Sequence, residues 1–399
     1  MRPLVLDFLA TRSAADLMAE HGVRLALGTR PLKASLNYDQ IAARDDDPLA
    51  CQCRGLVVGR PDGSPIPSDG PVGPLAVFAR PMDRFFNLGQ GAAHAVTSDD
   101  LAHPGARVME KVDGTLCIVY HDPAAGVWCV ATRSVPDADR SVDGFGDHTF
   151  ASLFKTALRD HLGLTWGHFT ARLDPAWTYC FELTSPRAGS GVVRYDEHRV
   201  HLLAVRHAET GEEACPTTFD LPPVALHAVD TMAGLLSLVE GRPAGEAEGV
   251  VVRLPERTPG GAYRRVKVKS AAYVAAHGLS SEAGASPRNL LRIILRGQWD
   301  DVAPLCRPHL REHGDRIAEA FLCWCHNTDD AFARLKREHG ADRKAFAVAA
   351  QAAGLPMAPL MSLWTGQAPD VGAWAQSRKG KEGDWSDAFL DTLLGYVMT

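Results

Sequence analysis

The chain has 399 residues, 46% of them hydrophobic, and a formal net charge of −6. This length suits two domains with apolar cores, and the acidic balance argues against a protein that coats nucleic acid nonspecifically. Asp7 interrupts the first apolar stretch, and no run of about 18 uncharged apolar residues occurs, so we expect neither a signal peptide nor a membrane span. Nine scattered cysteines are typical of reduced thiols. The default expectation is a cytoplasmic globular protein.

The first 270 residues read as short strands separated by turns, with a few helices. Helical spacing is present over residues 145–164 and 231–240, and a loop rich in Pro and Gly covers 61–74. Runs of β-branched or aromatic residues bounded by turn residues predict strands at 55–59, 117–120, 128–131, 177–181, 200–205 and 249–253. We therefore predict an α+β domain built on antiparallel sheets over residues 1–270.

Residues 271–399 are predicted to be helical throughout. The segment 286–296 begins with Ser286, which can cap a helix, and Pro287, which suits the first turn, and then has apolar residues at helical spacing. Further helices are expected over 307–325, 328–339 and 342–353, with Gly340 and Gly354 as stops. This change of pattern sets the domain boundary at 270/271.

Lys111, in the segment 111–116, precedes an Asp-Gly turn formed by Asp113 and Gly114. The pattern alone is weak, because Asp-Gly is a common turn dipeptide. A lysine attacks as a nucleophile only when nearby positive charge lowers its pKa from about 10.4. Lys267 and Lys269 alternate along one predicted strand and would supply that charge from one face while binding phosphate oxygens. The alternative is that they are edge-strand lysines that prevent aggregation.

Two glutamates stand beside apolar strands: Glu182 follows one and Glu248 opens another. Each could be a solvent-facing strand residue, and Arg54 could pair with an acid in the loop 45–47. The segment from 253 to 296 carries nine basic residues against two acidic ones, which suits phosphate binding, although a solvated face would look the same. Cys323, Cys325 and His326 leave a metal site open, but their spacing favours ordinary buried thiols.

Taken in order, these residues resemble the covalent lysyl-nucleotidyltransferase superfamily of polynucleotide ligases and mRNA capping enzymes. Flanking segments narrow the resemblance to ATP-dependent RNA ligases of the T-even phage RNA ligase 1 family. These segments are the Arg54 strand and residues 81–89, 181–186 and 192–195. The resemblance spans about 50–270 and implies an antiparallel-sheet nucleotidyltransferase (ATP-grasp-like ligase) domain followed by an all-helical C-terminal domain.

The resemblance also implies a chemistry and a set of roles. Lys111 would accept AMP from ATP, the AMP would pass to an RNA 5′-phosphate, and a 3′-hydroxyl would displace it. Asp113 would contact the ribose or orient Lys111, Gly114 would form the nucleotide-binding turn, and Val250 would lie beside adenine. Lys267 and Lys269 would bind the α-phosphate, and Arg54 and Arg84 would bind pyrophosphate or RNA phosphate. Glu248 and Glu182 would bind Mg²⁺ or Mn²⁺ or the ribose.

The chain departs from the family at one place, since an Asn-Arg pair is missing after Pro186. Arg187 and Arg194 are the candidates to replace its arginine. Partners implied by the resemblance are RNA ends, with cleaved tRNA as one candidate, and an end-healing kinase or phosphatase, because no Gly-x-x-x-x-Gly-Lys motif is present. The helical domain would select RNA. The alternatives are a GTP-dependent capping-type guanylyltransferase, whose tail would be a β-barrel, and an inactive nucleotide- or RNA-binding protein.

Overall fold

The structure is a computed structural model that describes residues 2–30, 32–39, 42–90, 94–138, 148–186, 192–216, 219–243, 245–278, 285–296, 299–303, 306, 308–379 and 384–398. The chain forms two compact units. The first contains residues 1–242 and 246–270, and the second contains 243–245 and 271–399.

A four-stranded antiparallel sheet lies at the start of the first unit. Its strands, in both chain and spatial order, are β1 (Val23–Leu27), β2 (Lys33–Tyr38), β3 (Arg54–Gly59) and β4 (Ala76–Ala79). Helices α1 (Leu4–Leu9), α2 (Ala14–His21) and α3 (Pro48–Cys51) bury their apolar residues in the same cluster as the sheet. Ser13 begins α2 with a capping box, accepting a hydrogen bond from the backbone N–H of Asp16. The sheet presents Arg54 at the first position of β3.

The second and third sheets have five strands each. The remaining strands in chain order are β5 (Phe86–Asn87), β6 (Arg107–Lys111), β7 (Thr115–Asp122), β8 (Val127–Ala131), β9 (Trp177–Thr184), β10 (Arg199–His207), β11 (Glu213–Ala214), β12 (Leu226–His227), β13 (Gly249–Arg257) and β14 (Tyr263–Lys269). The second sheet has the order β11-β10-β9-β7-β8, and the third has β12-β6-β13-β14-β5. All pairs are antiparallel except β14 with β5.

Helices cover one face of each of these sheets. The helices α5 (Phe150–Leu162) and α6 (Trp166–Thr170) pack aromatic side chains, among them Phe154 and Phe169, against Phe181 of β9. On the third sheet, α4 (Ser98–Ala102) and α7 (Met232–Glu240) bury Leu101 and Leu235 against the valines of β13 and β14. Because side chains alternate along a strand, the opposite face of the third sheet is available for polar residues.

The second unit is helical over its described residues. Its helices are α8 (Ala271–Gly278), α9 (Pro287–Leu295), α10 (Trp299–Val302), α11 (Pro308–His339), α12 (Arg343–Ala352), α13 (Met357–Trp364), α14 (Val371–Ser377) and α15 (Asp387–Val397). Trp374 and Trp385 are buried, and arginines of α9 pair with acids at 384, 387 and 391. None of the helices in the described ranges is both long and apolar enough to cross a membrane.

The structure confirms the α+β class, the six predicted strands and the helices predicted near 150, 232, 287 and 343. Two details were wrong. The predicted helices 307–325 and 328–339 form one helix, α11, because no Gly or Pro interrupts the chain between them and Thr328 is buried in that helix. Ser286 precedes α9 without a side-chain capping bond, while Pro287 does occupy the first turn.

Gly114 is required at the start of β7 by close backbone packing. A Cβ at this position would lie 2.3 Å from the carbonyl oxygen of Leu183 on β9. We expect Gly114→Ala to lower the free energy of unfolding by about 2 kcal/mol through overpacking, as measured by urea denaturation. Gly167→Ala in α6 is the matched control, because a Cβ there meets nothing within 4 Å. An equal, small effect of the two substitutions would contradict this packing.

Candidate active site

Three side chains of the third sheet converge because of strand register. Gly249 of β13 is paired with Lys111 of β6 on one side and with Lys269 of β14 on the other. Glu248, which precedes β13 and is 3% exposed, accepts hydrogen bonds from Lys111 Nζ at 2.5 Å and from Lys269 Nζ at 2.7 Å. A Cβ on Gly249, whose φ is +145°, would lie 2.1 Å from the carbonyl oxygen of Val268. The glycine thus permits the close strand packing that brings both lysines to one carboxylate.

Lys267 lies on the same face, two register pairs away, opposite Val251. Burial lowers the pKa of Lys267 to about 7, and the positive charges of Arg54, Lys111 and Lys269 act in the same direction. β14 is an interior strand, paired with β5 at Lys267 itself, so the edge-strand interpretation of the lysines does not hold there. Lys267 therefore lies in the positive field of Arg54, Lys111 and Lys269.

Arg54 and Lys267 both lie near the ring of Phe85, with the Arg54 guanidinium carbon at 5.1 Å and Lys267 Nζ at 5.0 Å from its centroid. Burial lowers the pKa of Arg54, and its buried Nη1 has no hydrogen-bond partner among the described residues. The acids of the loop 45–47 pair with Arg84, Arg44 and His21, and none of them pairs with Arg54. A buried, incompletely bonded guanidinium facing other cations is a ready site for an anion.

Two carboxylates face this cluster of cations. Burial raises the pKa of Glu182 to about 7, and the charge of Glu248 acts in the same direction, against Lys111 and Arg54. Carboxylate oxygens are the protein ligands that Mg²⁺ and Mn²⁺ prefer, and Mg²⁺ commonly uses only one or two of them together with phosphate and water. The pair therefore fits a cation brought with phosphates. Among the described residues, no group of three or more His, Cys, Asp or Glu side chains could hold a metal by itself.

The turn after Lys111 is held by hydrogen bonds to the segment that follows β9. The backbone N–H of Asp113 donates to Tyr195 Oη at 3.1 Å, and the Val193 N–H donates to Asp113 Oδ2 at 3.5 Å. Asp113 is 6% exposed. Of the two arginines considered for the missing family arginine, Arg194 is exposed and Arg187 lies outside the described residues. Tyr195 thus holds the turn that follows Lys111.

A cavity of about 90 Å³ opens beside Lys111, Arg54 and Glu182. It is lined by Arg54, Met82, Phe85, Met109, Glu110, Lys111, Val112, Glu182, Leu203, Val224, Val251 and Arg265. The apolar lining from the third sheet is provided by Met109 and Val251, which are register partners on adjacent strands.

Val250 and Arg84, both predicted to contact the nucleotide, lie away from the cluster around Lys111. Val250 is fully buried on the opposite face of the sheet with Val252, because alternation along β13 turns it away from Lys111. Arg84 lies beyond Phe85, where its guanidinium binds Asp45 at 2.6 Å. Met109, Phe85 and Val251 were missed. Once Gly249 of β13 is aligned with Lys111 of β6, the residues two positions away on each strand, Val251 and Met109, are expected on the same face of the sheet as Lys111.

Comparison with known proteins agrees with this geometry. A family model described as RNA ligase matches residues 52–273, more than half of the chain. The chain belongs to the RNA ligase family.

Individual relatives are distant. A protein of the Autographa californica nuclear polyhedrosis virus, named as a bifunctional polynucleotide kinase/RNA ligase, is 28% identical over 326 residues. The match covers 77% of this chain but only 42% of the viral protein. Among solved structures, an archaeal ATP-dependent RNA ligase (form 2) shares 12% identity with a TM-score of 0.45, covering 77% of this chain and 78% of that one. A Naegleria gruberi RNA ligase with PPi has 13% identity and a TM-score of 0.33, covering 51% and 65%. Scores this low do not establish a shared architecture, so the assignment rests on the family model.

The lowered pKa of Lys267 predicts that phosphate binding is coupled to proton uptake. The pKa of Lys267 in the folded protein, about 7, lies below its ordinary value of 10.5, so its ammonium group loses a proton as the pH rises above 7. Binding of an anion favours the charged ammonium, so above pH 7 binding must be accompanied by uptake of a proton. We expect the affinity for pyrophosphate to fall with pH between 7 and 9, by up to about tenfold per unit. Calorimetric titration measures this. Pyrophosphate also changes its own protonation over this range, and Lys267→Arg, which stays charged, is the control for that effect. If the wild type and Lys267→Arg showed the same dependence of affinity on pH, the coupling to Lys267 would be contradicted.

Proposed function

We propose that this chain is an ATP-dependent RNA ligase that joins a 5′-phosphate RNA end to a 3′-hydroxyl end. The observation that carries the proposal is the position of Lys111, which lines one cavity with Arg54, shares the Glu248 carboxylate with Lys269, and lies near enough to Lys267 to lower its pKa. A lone amine beside a single acid would be an ordinary ion pair. An amine among three further cations, within a family of RNA ligases, is arranged to attack a phosphate.

In the first step, Lys111 Nζ loses a proton and attacks the α-phosphorus of ATP. A P–N bond forms, the bond from the α-phosphorus to the bridging oxygen breaks, and pyrophosphate leaves with that oxygen. Lys267 and Lys269 hold the α-phosphate oxygens, Arg54 binds the leaving pyrophosphate, and Asp113 with Gly114 orients the nucleophile and ribose. Met109 and Val251 take the place beside adenine that the sequence assigned to Val250. Charge neutralisation by these side chains lowers the barrier.

The second and third steps transfer the adenylate. An oxygen of the RNA 5′-phosphate attacks the AMP phosphorus, which breaks the P–N bond and returns Lys111 as an amine. The 3′-hydroxyl of the other end then attacks the activated 5′-phosphorus, forming the phosphodiester and releasing AMP. Glu248 and Glu182 would hold Mg²⁺ or Mn²⁺, which neutralises phosphate charge when bound.

The biological setting is a proposal of the same kind. Cleaved tRNA is a suitable substrate because its fragments supply two RNA ends to be rejoined. A kinase or phosphatase would prepare those ends, and the name of the viral relative pairs a kinase with a ligase, although the chain spans under half of that relative's length. We assign RNA selection to the helical second unit and a cytoplasmic location to the protein.

The test is covalent labelling with α-labelled nucleotides and Mg²⁺, followed by joining. We expect label from ATP, little from GTP, and none from γ-labelled ATP. A 5′-phosphorylated single-stranded RNA should then be circularised, whereas a 5′-hydroxyl RNA should not. Label from GTP alone would favour a capping-type guanylyltransferase. Absence of any covalent label would leave a nucleotide- or RNA-binding protein without ligase chemistry.

A further inference from the structure

A second and larger cavity, of about 310 Å³, lies beside the first in the same unit. Phe85 and Arg265 line both cavities, so these side chains separate them. The larger one, here called the arginine–aromatic cavity, is lined by Asp45, Pro48, Cys51, Gln52, Asp83, Arg84, Phe85, Phe86, His94, Arg257, Thr258, Pro259, Gly260, Tyr263, Arg264 and Arg265. The nucleotidyl-transfer steps proposed above use none of its remaining side chains, so its composition needs a separate explanation.

Flat ring surfaces form one part of this cavity. The His94 imidazole stacks on Phe86, with centroids 4.2 Å apart and an interplanar angle of 27°. Burial lowers the pKa of His94, which favours the neutral ring. Tyr263 is a third ring in the lining, with the Arg257 guanidinium carbon 3.5 Å from its centroid. The half-buried His94 ring lies over the buried Phe86, and stacked aromatic rings of this kind are surfaces on which nucleobases stack.

Four arginines give the cavity its charge, and three of them are paired with carboxylates. Arg84 binds Asp45, Arg264 binds Glu256 and Arg265 binds Glu213. Arg257 differs: it donates to the carbonyl oxygens of Glu213 and Gly261, and no carboxylate in the described part of the chain pairs with it. A positive charge that is exposed at the cavity and lacks an acid suits a phosphodiester anion.

The buried surroundings hold this arrangement in place. Arg206, 1% exposed, donates to Asp83 Oδ1 at 2.7 Å and to the carbonyl oxygen of Pro81, and Thr258 Oγ1 donates to Asp83 Oδ2 at 2.6 Å. These bonds join the segment before Phe85 to the turn between β13 and β14. The segment that carries Phe85, which lines both cavities, is therefore held in place by buried hydrogen bonds.

The distance between the arginine–aromatic cavity and the reaction centre determines which part of a ligand would enter the cavity. Tyr263 and Lys267 lie four residues apart on one face of β14, a separation of about 14 Å. A phosphate reacting at Lys111 and Lys267 therefore does not itself occupy the far end of the cavity, but the strand attached to it can. We propose that the arginine–aromatic cavity binds a nucleotide inward from the reacting 5′-phosphate of a single-stranded RNA, with its base on the rings and its phosphodiester at Arg257.

This inference rests on the proposed ligase function, and its test separates the two. Protein that has been labelled with AMP on Lys111 is mixed with either a nucleoside 3′,5′-bisphosphate or a short 5′-phosphorylated oligoribonucleotide, and adenylate transfer is followed in a single turnover. Arg257→Ala and His94→Ala are compared with wild type and with Arg159→Ala, an exposed arginine of α5 outside both cavities.

We expect the wild type and Arg159→Ala to use the oligoribonucleotide at lower concentration than the bisphosphate. In Arg257→Ala and His94→Ala, the concentration for half-maximal transfer to the oligoribonucleotide should rise about tenfold, while transfer to the bisphosphate and labelling by ATP stay within about twofold. Equal use of the oligoribonucleotide by all four proteins would overturn the inference, as would a raised KM for ATP in either variant, which would assign the cavity to ATP. Failure of the wild type to be labelled at all would instead overturn the proposed function.

Discussion

Lys111→Ala will carry no covalent label after incubation with α-labelled ATP, whereas the wild type will be labelled. The reason is that Lys111 is the only lysine lining the cavity in the described part of the chain, and the proposed mechanism assigns Lys267 and Lys269 to holding the phosphate that Lys111 attacks. The loss should be complete rather than partial, because a nucleophile has no substitute in the cavity. Gel separation followed by detection of the label measures the effect.

The same variant allows the nucleophile to be separated from the rest of the site. RNA that already carries a 5′-adenylate needs no lysine to accept AMP, so Lys111→Ala should still join it to a 3′-hydroxyl end at a measurable rate. The remaining pair of Glu248 with Lys269 supports this expectation, since the fold around the cavity keeps one of its two ion pairs. Labelling of Lys111→Ala at the wild-type level would place the nucleophile elsewhere.

Glu248→Gln should both weaken the fold and slow adenylation. Its carboxylate compensates two ammonium groups, at 2.5 Å and 2.7 Å, from a position that is 3% exposed. We expect the free energy of unfolding to fall by about 2 kcal/mol, less than for a fully buried pair because both lysines are partly exposed. Adenylation should slow by more than about 100-fold, since the neutral amide no longer positions Lys111 or binds a cation. Urea denaturation and the rate of labelling give the two quantities.

Glu197→Gln is the matched control for this substitution. Glu197 binds Arg199 at 2.7 Å on the surface, with both side chains more than half exposed. An exposed pair of this kind contributes little, so we expect a change within about 0.5 kcal/mol and an unchanged labelling rate. If the two substitutions had equal effects on stability and rate, Glu248 would be an ordinary surface acid in function.

The order of residues along the chain was enough to predict which lysines lie near Lys111, because alternation along one strand fixes which side chains share a face. Lys267 and Lys269 lie together for that reason, as expected. The same rule excludes Val250, and the error arose because its neighbour Val251 is equally apolar, so that only the register with Lys111 and Lys269 tells the two apart. Local composition cannot supply a register.

Contacts between segments distant in sequence were beyond prediction. Arg54 lies beside the ring of Phe85 and Arg84 precedes Phe85 in the chain, yet Arg84 binds Asp45. The position of the loop that carries Asp45 could not be predicted from the sequence. The network of Asp83, Arg206 and Thr258 joins three separate elements, and none of its members has a distinctive local pattern. The helix α11 was predicted as two helices, although residues 326 and 327 lie in a continuous helix in which Thr328 is buried.

The central claim is that Lys111 is the amine that accepts AMP, and peptide mapping tests it most directly. The protein is incubated with ATP and Mg²⁺, digested under conditions that preserve P–N bonds, and its peptides are analysed by mass spectrometry. We predict a single peptide with the added mass of one adenylate, with fragment ions that place it on Lys111. An adenylate on Lys267, Lys269 or any other residue, or no modified peptide from protein that binds ATP, would contradict the account.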